Sequence, residues 1–126
     1  MPSHNHMTLM GHLTRDIELR YTPSGTAVAT LGMASNRRFR QGEELKEEVL
    51  FVDVVLFGKT AETASQFLHK GDCVLIEGRL QQRRWDTEDG QKRSKHEIVG
   101  DRMTFITTKN RQPGEEPEHA HDPATF

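Results

Sequence analysis

Residues 49–59 read Val49-Leu50-Phe51-Val52-Asp53-Val54-Val55-Leu56-Phe57-Gly58-Lys59, and the fold turns on them. Side chains alternate along a strand, so Leu50, Val52, Val54 and Leu56 make one aliphatic face, and Val49, Phe51, Asp53, Val55 and Phe57 make the other. The aliphatic face is expected to be core. A face that mixes two aromatics with a carboxylate is expected to stay partly open, because an unpaired buried Asp is costly. Phe51 and Phe57 are therefore candidates for exposed aromatic residues.

Beyond Gly58 the period changes. Ala61, Ala64, Phe67 and Leu68 recur at helical spacing, His69 and Lys70 fall in the last turn, and Gly71 stands where a left-handed cap belongs. This predicts a helix of about three turns, with Phe67 in the core. Period two then resumes, with Val74, Ile76 and Leu80 on one face and Cys73, Leu75, Glu77, Arg79, Gln81, Arg83 and Trp85 on the other. A polar loop, Asp86 to Gly90, leads to return strands over Lys92–Val99 and Met103–Thr107, with Phe105 in the core. On the N-terminal side Thr8–Leu13 reads as a strand, and Glu18–Tyr21 as a second that ends in the turn sequence Thr22-Pro23-Ser24-Gly25. Thr26–Ser35 returns as a long strand of small and β-branched residues, followed by a loop at Gln41-Gly42-Glu43-Glu44. Strands, then one helix, then a hairpin predict a mainly β fold: a five-stranded OB-fold barrel with one α-helix between strands 3 and 4.

A chain of 126 residues has room for one domain of ordinary size. Its 17 Lys and Arg against 19 Asp and Glu, with only 33% hydrophobic residues, predict that part of it is unfolded. That part is 109–126, where Lys109 and Arg111 meet Glu115, Glu116, Glu118 and Asp122, and Pro113, Pro117 and Pro123 break any regular element. Such a segment has too little to bury to offset the entropy of ordering, so it reads as a disordered acidic tail on a domain over 1–108. Charges of the two signs balance within that domain, yet cations cluster at Arg37, Arg38 and Arg40, at Arg79, Arg83 and Arg84, and at Lys92, Arg93 and Lys95. Clusters of this kind are either simply solvated or form a phosphate-contacting face. With no apolar run of 18 residues and no basic segment leading into an apolar one, the expectation is a cytoplasmic protein without a membrane span. Cys73, the single cysteine, reads as a small buried hydrophobe in a reducing compartment.

Val54-Val55-Leu56-Phe57-Gly58-Lys59, the helix Ala61 to Leu68, Lys70-Gly71 and Ile76-Glu77-Gly78-Arg79-Leu80 together resemble the bacterial single-stranded DNA-binding protein family. The likeness extends from about Met7 to Ile106 and takes in Asp16-Ile17-Glu18-Leu19-Arg20-Tyr21, which resembles that family's first hairpin. It implies an OB-fold that assembles as a homotetramer and wraps single-stranded DNA without chemistry, protecting it in replication, recombination and repair. It also implies base stacking on Phe39, Phe51, Phe57 and Trp85. Stacking is worth roughly 1–3 kcal/mol per base and tolerates any base. Arg37, Arg38, Arg40, Lys59, Arg79, Arg83, Arg84, Lys92 and Arg93 are the candidate phosphate contacts. The chain departs from the family pattern in three places. Phe39 and Phe51 stand where many members carry Trp, which keeps a stacking face of smaller area. Asp53 shares a strand face with Phe51 and Phe57, where some members have a cation, and it would repel phosphate unless an arginine neutralised it. The family's acidic tip is reduced to Asp122, a displaced Pro123 and Phe126, which implies only weak docking of replication and repair proteins to the tail.

Other chemistries find little support in the sequence. His4, His6, His12, His119 and His121 have no carboxylate or cysteine partner at ligand spacing on a fixed element, so no metal or cofactor is expected. Glu43, Glu44, Glu47 and Glu48 lie in a polar stretch with no apolar wall to raise a pKa, and no Gly-rich phosphate motif or nucleophile elbow occurs, so no enzyme is expected. The alternative reading is an OB-fold primosome subunit that binds DNA while docking to a replication protein.

Overall fold

Val54 and Leu56 are fully buried and Val52 partly so, which places the aliphatic side of the central strand against a core, as its alternation predicts. The computed structural model describes residues 1–107. Along them run β1 Met7–Leu13, β2 Glu18–Tyr21, β3 Ala27–Gln41, β4 Glu44–Phe57, α1 Gly58–Phe67, β5 Cys73–Asp86 and β6 Lys92–Thr107. The strands pair in the order β1-β5-β6-β4-β3, and His12 and Leu13 of β1 pair with Ala34 and Met33 of β3 to close the ring. The result is a five-stranded barrel in which β4 and β6 run parallel and the other pairs antiparallel, with β2 laid on the edge of β3. Inside it Leu31, Met33, Leu56, Ile76 and Ile98 are almost completely buried, and α1 adds Ala61 and Ala64. The OB-fold barrel with its helix before the last hairpin is present as expected.

Several local expectations are corrected. Strands β3 and β4 do not stop at Ser35 and Val49 but continue as a two-stranded ribbon to a tight turn at Gly42, where φ is +67°. Polar cross-strand pairs hold the ribbon, among them Arg37 with Glu48 at 2.7 Å and Arg38 with Glu47 at 3.4 Å, so no apolar alternation announces it. Leu50, expected in the core, lies on this ribbon beyond the barrel and is 52% exposed.

The two return strands are one strand, β6. Glu77 faces Arg102 while Gly78 faces Gly100, which leaves Asp101 as an extra residue opposite β5. A bulge of this kind shifts the alternation by one. It is why Ile98 and Phe105, of opposite parity, are both buried, and why the sequence reads as two segments. On β5, Cys73 and Leu75 are buried although they share parity with Arg79 and Trp85, and Leu80 is exposed.

The helix ends at Phe67, because Leu68 is already extended with φ −106°. Gly71, with φ +94°, serves the reversal after the helix, where Asp72 donates its amide to the His69 carbonyl at 3.0 Å, and is not a helix cap. His69 and Lys70 therefore lie past the helix. Phe67, expected in the core, is 55% exposed; its ring rests 6.2 Å from that of Phe105, which does fill the core at 5% exposure.

Gly78 tests this packing. A side chain there would run into the Val99 carbonyl oxygen and come within 2.9 Å of the Gly100 Cα, both of them backbone and unable to step aside. Gly78→Ala is expected to destabilise the domain by about 1–3 kcal/mol, read as an earlier thermal unfolding midpoint. An unchanged midpoint would contradict the close β5–β6 crossing.

Candidate nucleic-acid interface

The registers that fix the core also fix a second face, on the outside of β5, β6, β4 and β3. Across β5 and β6, Trp85 stands opposite Arg93, Arg83 opposite Lys95, Gln81 opposite Glu97 and Arg79 opposite Val99. Val99 is level with Val55 of β4, and on β3 Phe51 meets Ala34, Asp53 meets Gly32 and Phe57 meets Val28. Alternation then puts all of these side chains on one outer surface. Phe51 is 70% exposed, Phe57 49% and Trp85 42%, values that no core role explains. The aromatic side read from β4 is thus open to solvent.

Cations surround these rings. The Arg83 guanidinium carbon lies 5.3 Å from the centre of the Trp85 ring, within cation–π range. Arg84, Trp85, Asp86, Lys92, Arg93 and Ser94 line an open cavity of about 600 Å³ at the tip of the β5–β6 hairpin. Arg79 reaches Asp101 at 3.9 Å, and exposed Lys59, on α1 just after Phe57, borders a second hollow of about 230 Å³ with Thr60, Thr63 and Arg102. On the ribbon, Arg38 and Arg40 share the parity of Ala34 and so the face of Phe51. Phe39 and Arg37 have the opposite parity. Phe39 is half-buried, with the Arg37 guanidinium 4.6 Å from its ring centre, so it is not gathered with the other three aromatics. Asp122 and Phe126 lie outside the described residues.

Asp53 sits in the middle of this face and is not free. Lys95 hydrogen-bonds one of its carboxylate oxygens, and Arg15, from the turn between β1 and β2, donates to the other at 3.4 Å. Burial raises the Asp53 pKa, but the hydrogen bonds and positive charge of Lys95 and then Arg15 outweigh it and hold the carboxyl below its ordinary 3.8. The Arg15 guanidinium crosses directly over Gly32, where any Cβ would collide with it. Beside Asp53, buried Glu97 accepts from Gln81 at 3.4 Å and lies 3.7 Å from Arg83. Arg15, Lys95 and Glu97 are members of this face that sequence reasoning did not assign to it. The Lys92-Arg93-Lys95 cluster hinted at Lys95, whereas nothing near Arg15 in the sequence connects it to a residue 38 positions away.

Burial pushes the Cys73 thiol up, away from the thiolate that would make it reactive. Buried Asp72 accepts the His69 amide at 2.8 Å and shapes the turn after the helix. No group of three or more His, Cys, Asp or Glu among the described residues is placed to hold a metal ion, and no described helix is long and apolar enough to cross a membrane.

Comparison with known proteins agrees with this geometry. The profile of the single-strand binding protein family matches residues 4–106. The single-stranded DNA-binding protein of Helicobacter hepaticus is 50% identical over 107 residues, covering 84% of this chain and 63% of that one. That of Treponema pallidum is also 50% identical, over 102 residues, covering 81% of this chain and 57% of its own. The chain therefore spans about three fifths of the length of these relatives. Among solved structures, the Plasmodium falciparum SSB in complex with single-stranded DNA superposes with a TM-score of 0.78 at 25% identity, covering 85% of this chain and 98% of that one. A barrel of this topology, an open face of aromatics among cations, and a family match across nearly all the described residues lead to one assignment: the chain belongs to the single-strand binding protein family.

Proposed function

We propose that this protein binds single-stranded DNA by stacking bases on Phe51, Phe57 and Trp85, with Phe39 extending the path over the ribbon. Arg38, Arg40, Lys59, Arg79, Arg83, Arg84, Lys92 and Arg93 hold phosphates, and Arg37 does so beside Phe39. The observation that carries this reading is the row of exposed aromatics on one continuous outer face with guanidinium and ammonium groups between them. A ring gives every base a platform and a phosphate has no sequence identity, so binding follows with little base preference and without a chemical step. The role that fits is coating and protecting single strands during replication, recombination and repair in the cytoplasm. Competition among a dT oligomer, the matching RNA and blunt duplex DNA tests it. The dT oligomer is expected to bind tightest, with a salt slope of about −0.7 for each phosphate neutralised; equal affinity for the duplex would refute the reading.

The working unit is proposed to be a homotetramer. Strand β1 pairs with β5 over Met7–His12 but with β3 only at His12 and Leu13, so its first residues offer an edge to a second copy. Light scattering is expected to return about four times the 14.4 kDa chain mass; a monomer at micromolar concentration would contradict the assembly. Residues 109–126 are proposed as a weak docking segment for replication and repair proteins through Asp122 and Phe126. Deleting residues 113–126 is expected to leave DNA affinity unchanged or slightly raised, because a competing polyanion is removed; a substantial loss of affinity would show that the tail belongs to the binding site.

A further inference from the structure

The cations of the outer face are not all equally available to a phosphate. At the tip of the β5–β6 hairpin, Arg93, opposite Trp85, donates to the neutral amide of Gln91, and among the described residues no carboxylate lies within ion-pair distance of it, so an incoming phosphate meets no such competitor there. The middle of the face is different. There Asp53 and Glu97 each stand one residue before a paired position of β4 and β6, Val54 with Ile98, and three cations engage them: Lys95 and Arg15 hydrogen-bond Asp53, and Arg83 lies 3.7 Å from Glu97. The Arg15 and Lys95 side chains stay half open to solvent even while paired, so a phosphate can reach them only in competition with the carboxylate they already hold.

We infer that Asp53 is a built-in competitor for the DNA backbone: it occupies Arg15 and Lys95 at the centre of the face, and so limits both the affinity for single-stranded DNA and its sensitivity to salt. The inference rests on the placement of the DNA on this face. Its physical basis is local charge. Arg15 and Lys95 together present two positive charges, Asp53 cancels one, and its oxygens occupy the directions from which phosphate oxygens would accept the same hydrogen bonds. With the carboxyl held below its ordinary pKa, the cancellation is present throughout the neutral range. The flanking rings, Phe51 and Phe57, are unaffected, so the strand is held at the centre mainly by stacking, whereas at the hairpin tip stacking on Trp85 is joined by the uncancelled charge of Arg93. A strand bound in this way can lift from the centre without breaking a full set of ionic contacts.

Asp53→Asn tests the inference, because it keeps the shape and one accepting oxygen while it removes the charge and replaces the other oxygen by an amide NH2 that cannot accept from Lys95 or Arg15. Titration of a fluorescent dT oligomer against the full chain across a salt series is expected to show about threefold to tenfold tighter binding at low salt and a slope steeper by about 0.7 for one additional phosphate. The gain should fade as salt rises. Arg15→Gln, with the carboxylate left in place, is expected to move affinity and slope the opposite way, and the double variant Asp53→Asn/Arg15→Gln to lie between the two single variants. Thermal unfolding of each variant separates a change at the face from a change in the barrel. A folded Asp53→Asn protein with unchanged or weaker affinity would overturn the inference, by showing that the carboxylate is neutral to binding or positions the cations for it. Wild-type protein that fails to bind the oligomer would instead overturn the DNA-binding reading itself.

Discussion

Alanine at Phe51, Phe57 and Trp85 together is expected to lower the affinity for a dT oligomer by at least about a hundredfold at fixed salt. Each stacked base contributes roughly 1–3 kcal/mol, and about 1.4 kcal/mol is a factor of ten in the dissociation constant. Even at the low end the three losses exceed two decades. Neighbouring contacts on one strand are not strictly additive, so the triple variant should fall short of the sum of the single ones. The fold should survive, because all three rings are exposed and none belongs to the core. Fluorescence anisotropy of a labelled oligomer, beside circular dichroism of the free protein, reads both quantities. A folded triple variant that still binds within about threefold of wild type would place the DNA on another surface.

The second large effect concerns stability, and it separates two phenylalanines that the sequence treats alike. Phe105 is 5% exposed in the barrel core, and removing its ring leaves a cavity that the surrounding strands cannot close. Phe105→Ala is expected to cost about 3–5 kcal/mol, a large part of the roughly 5–15 kcal/mol that holds a domain of this size together. Phe67, 55% exposed on the last turn of the helix, meets the Phe105 ring in a tilted contact with 6.2 Å between ring centres. Its replacement by alanine should cost about 1 kcal/mol or less. Urea unfolding of the two variants under identical conditions measures the contrast; equal shifts of the midpoint would contradict the packing of the helix described here.

Residues that obey a single period were legible from the sequence. Val52, Val54 and Leu56 alternate with Phe51, Asp53 and Phe57, and one strand with a wet side and a dry side accounts for all six. Gly25 and Gly90, in turns whose neighbours are hydrogen-bonded across them, were equally plain. Periodicity failed where long-range partners replaced it. The ribbon from Asn36 to Glu48 is extended because arginines on one strand meet glutamates on the other, a pattern with no apolar signature. The extra residue at Asp101 reverses the parity of β6, which a single-strand reading cannot anticipate. Phe67 has helical spacing from Ala61 and Ala64, yet a helix of ten residues lying on a small barrel buries only a narrow stripe, and the bulky residue falls at its margin. At the candidate site, the three aromatics were legible because strand alternation exposes them. The Arg15–Asp53–Lys95 arrangement was not, because it joins a turn, β4 and β6 only after the barrel has closed.

The central claim is that bases stack on this outer face, and Trp85 reports on it without ambiguity, since it is the one tryptophan in the sequence. Its emission should be followed while poly(dT) is added to the wild-type protein, with binding monitored in parallel by anisotropy of a labelled strand. Stacking of a base on the indole predicts strong quenching that saturates at the same DNA concentration as the anisotropy. Saturated binding with unchanged Trp85 emission would contradict the account.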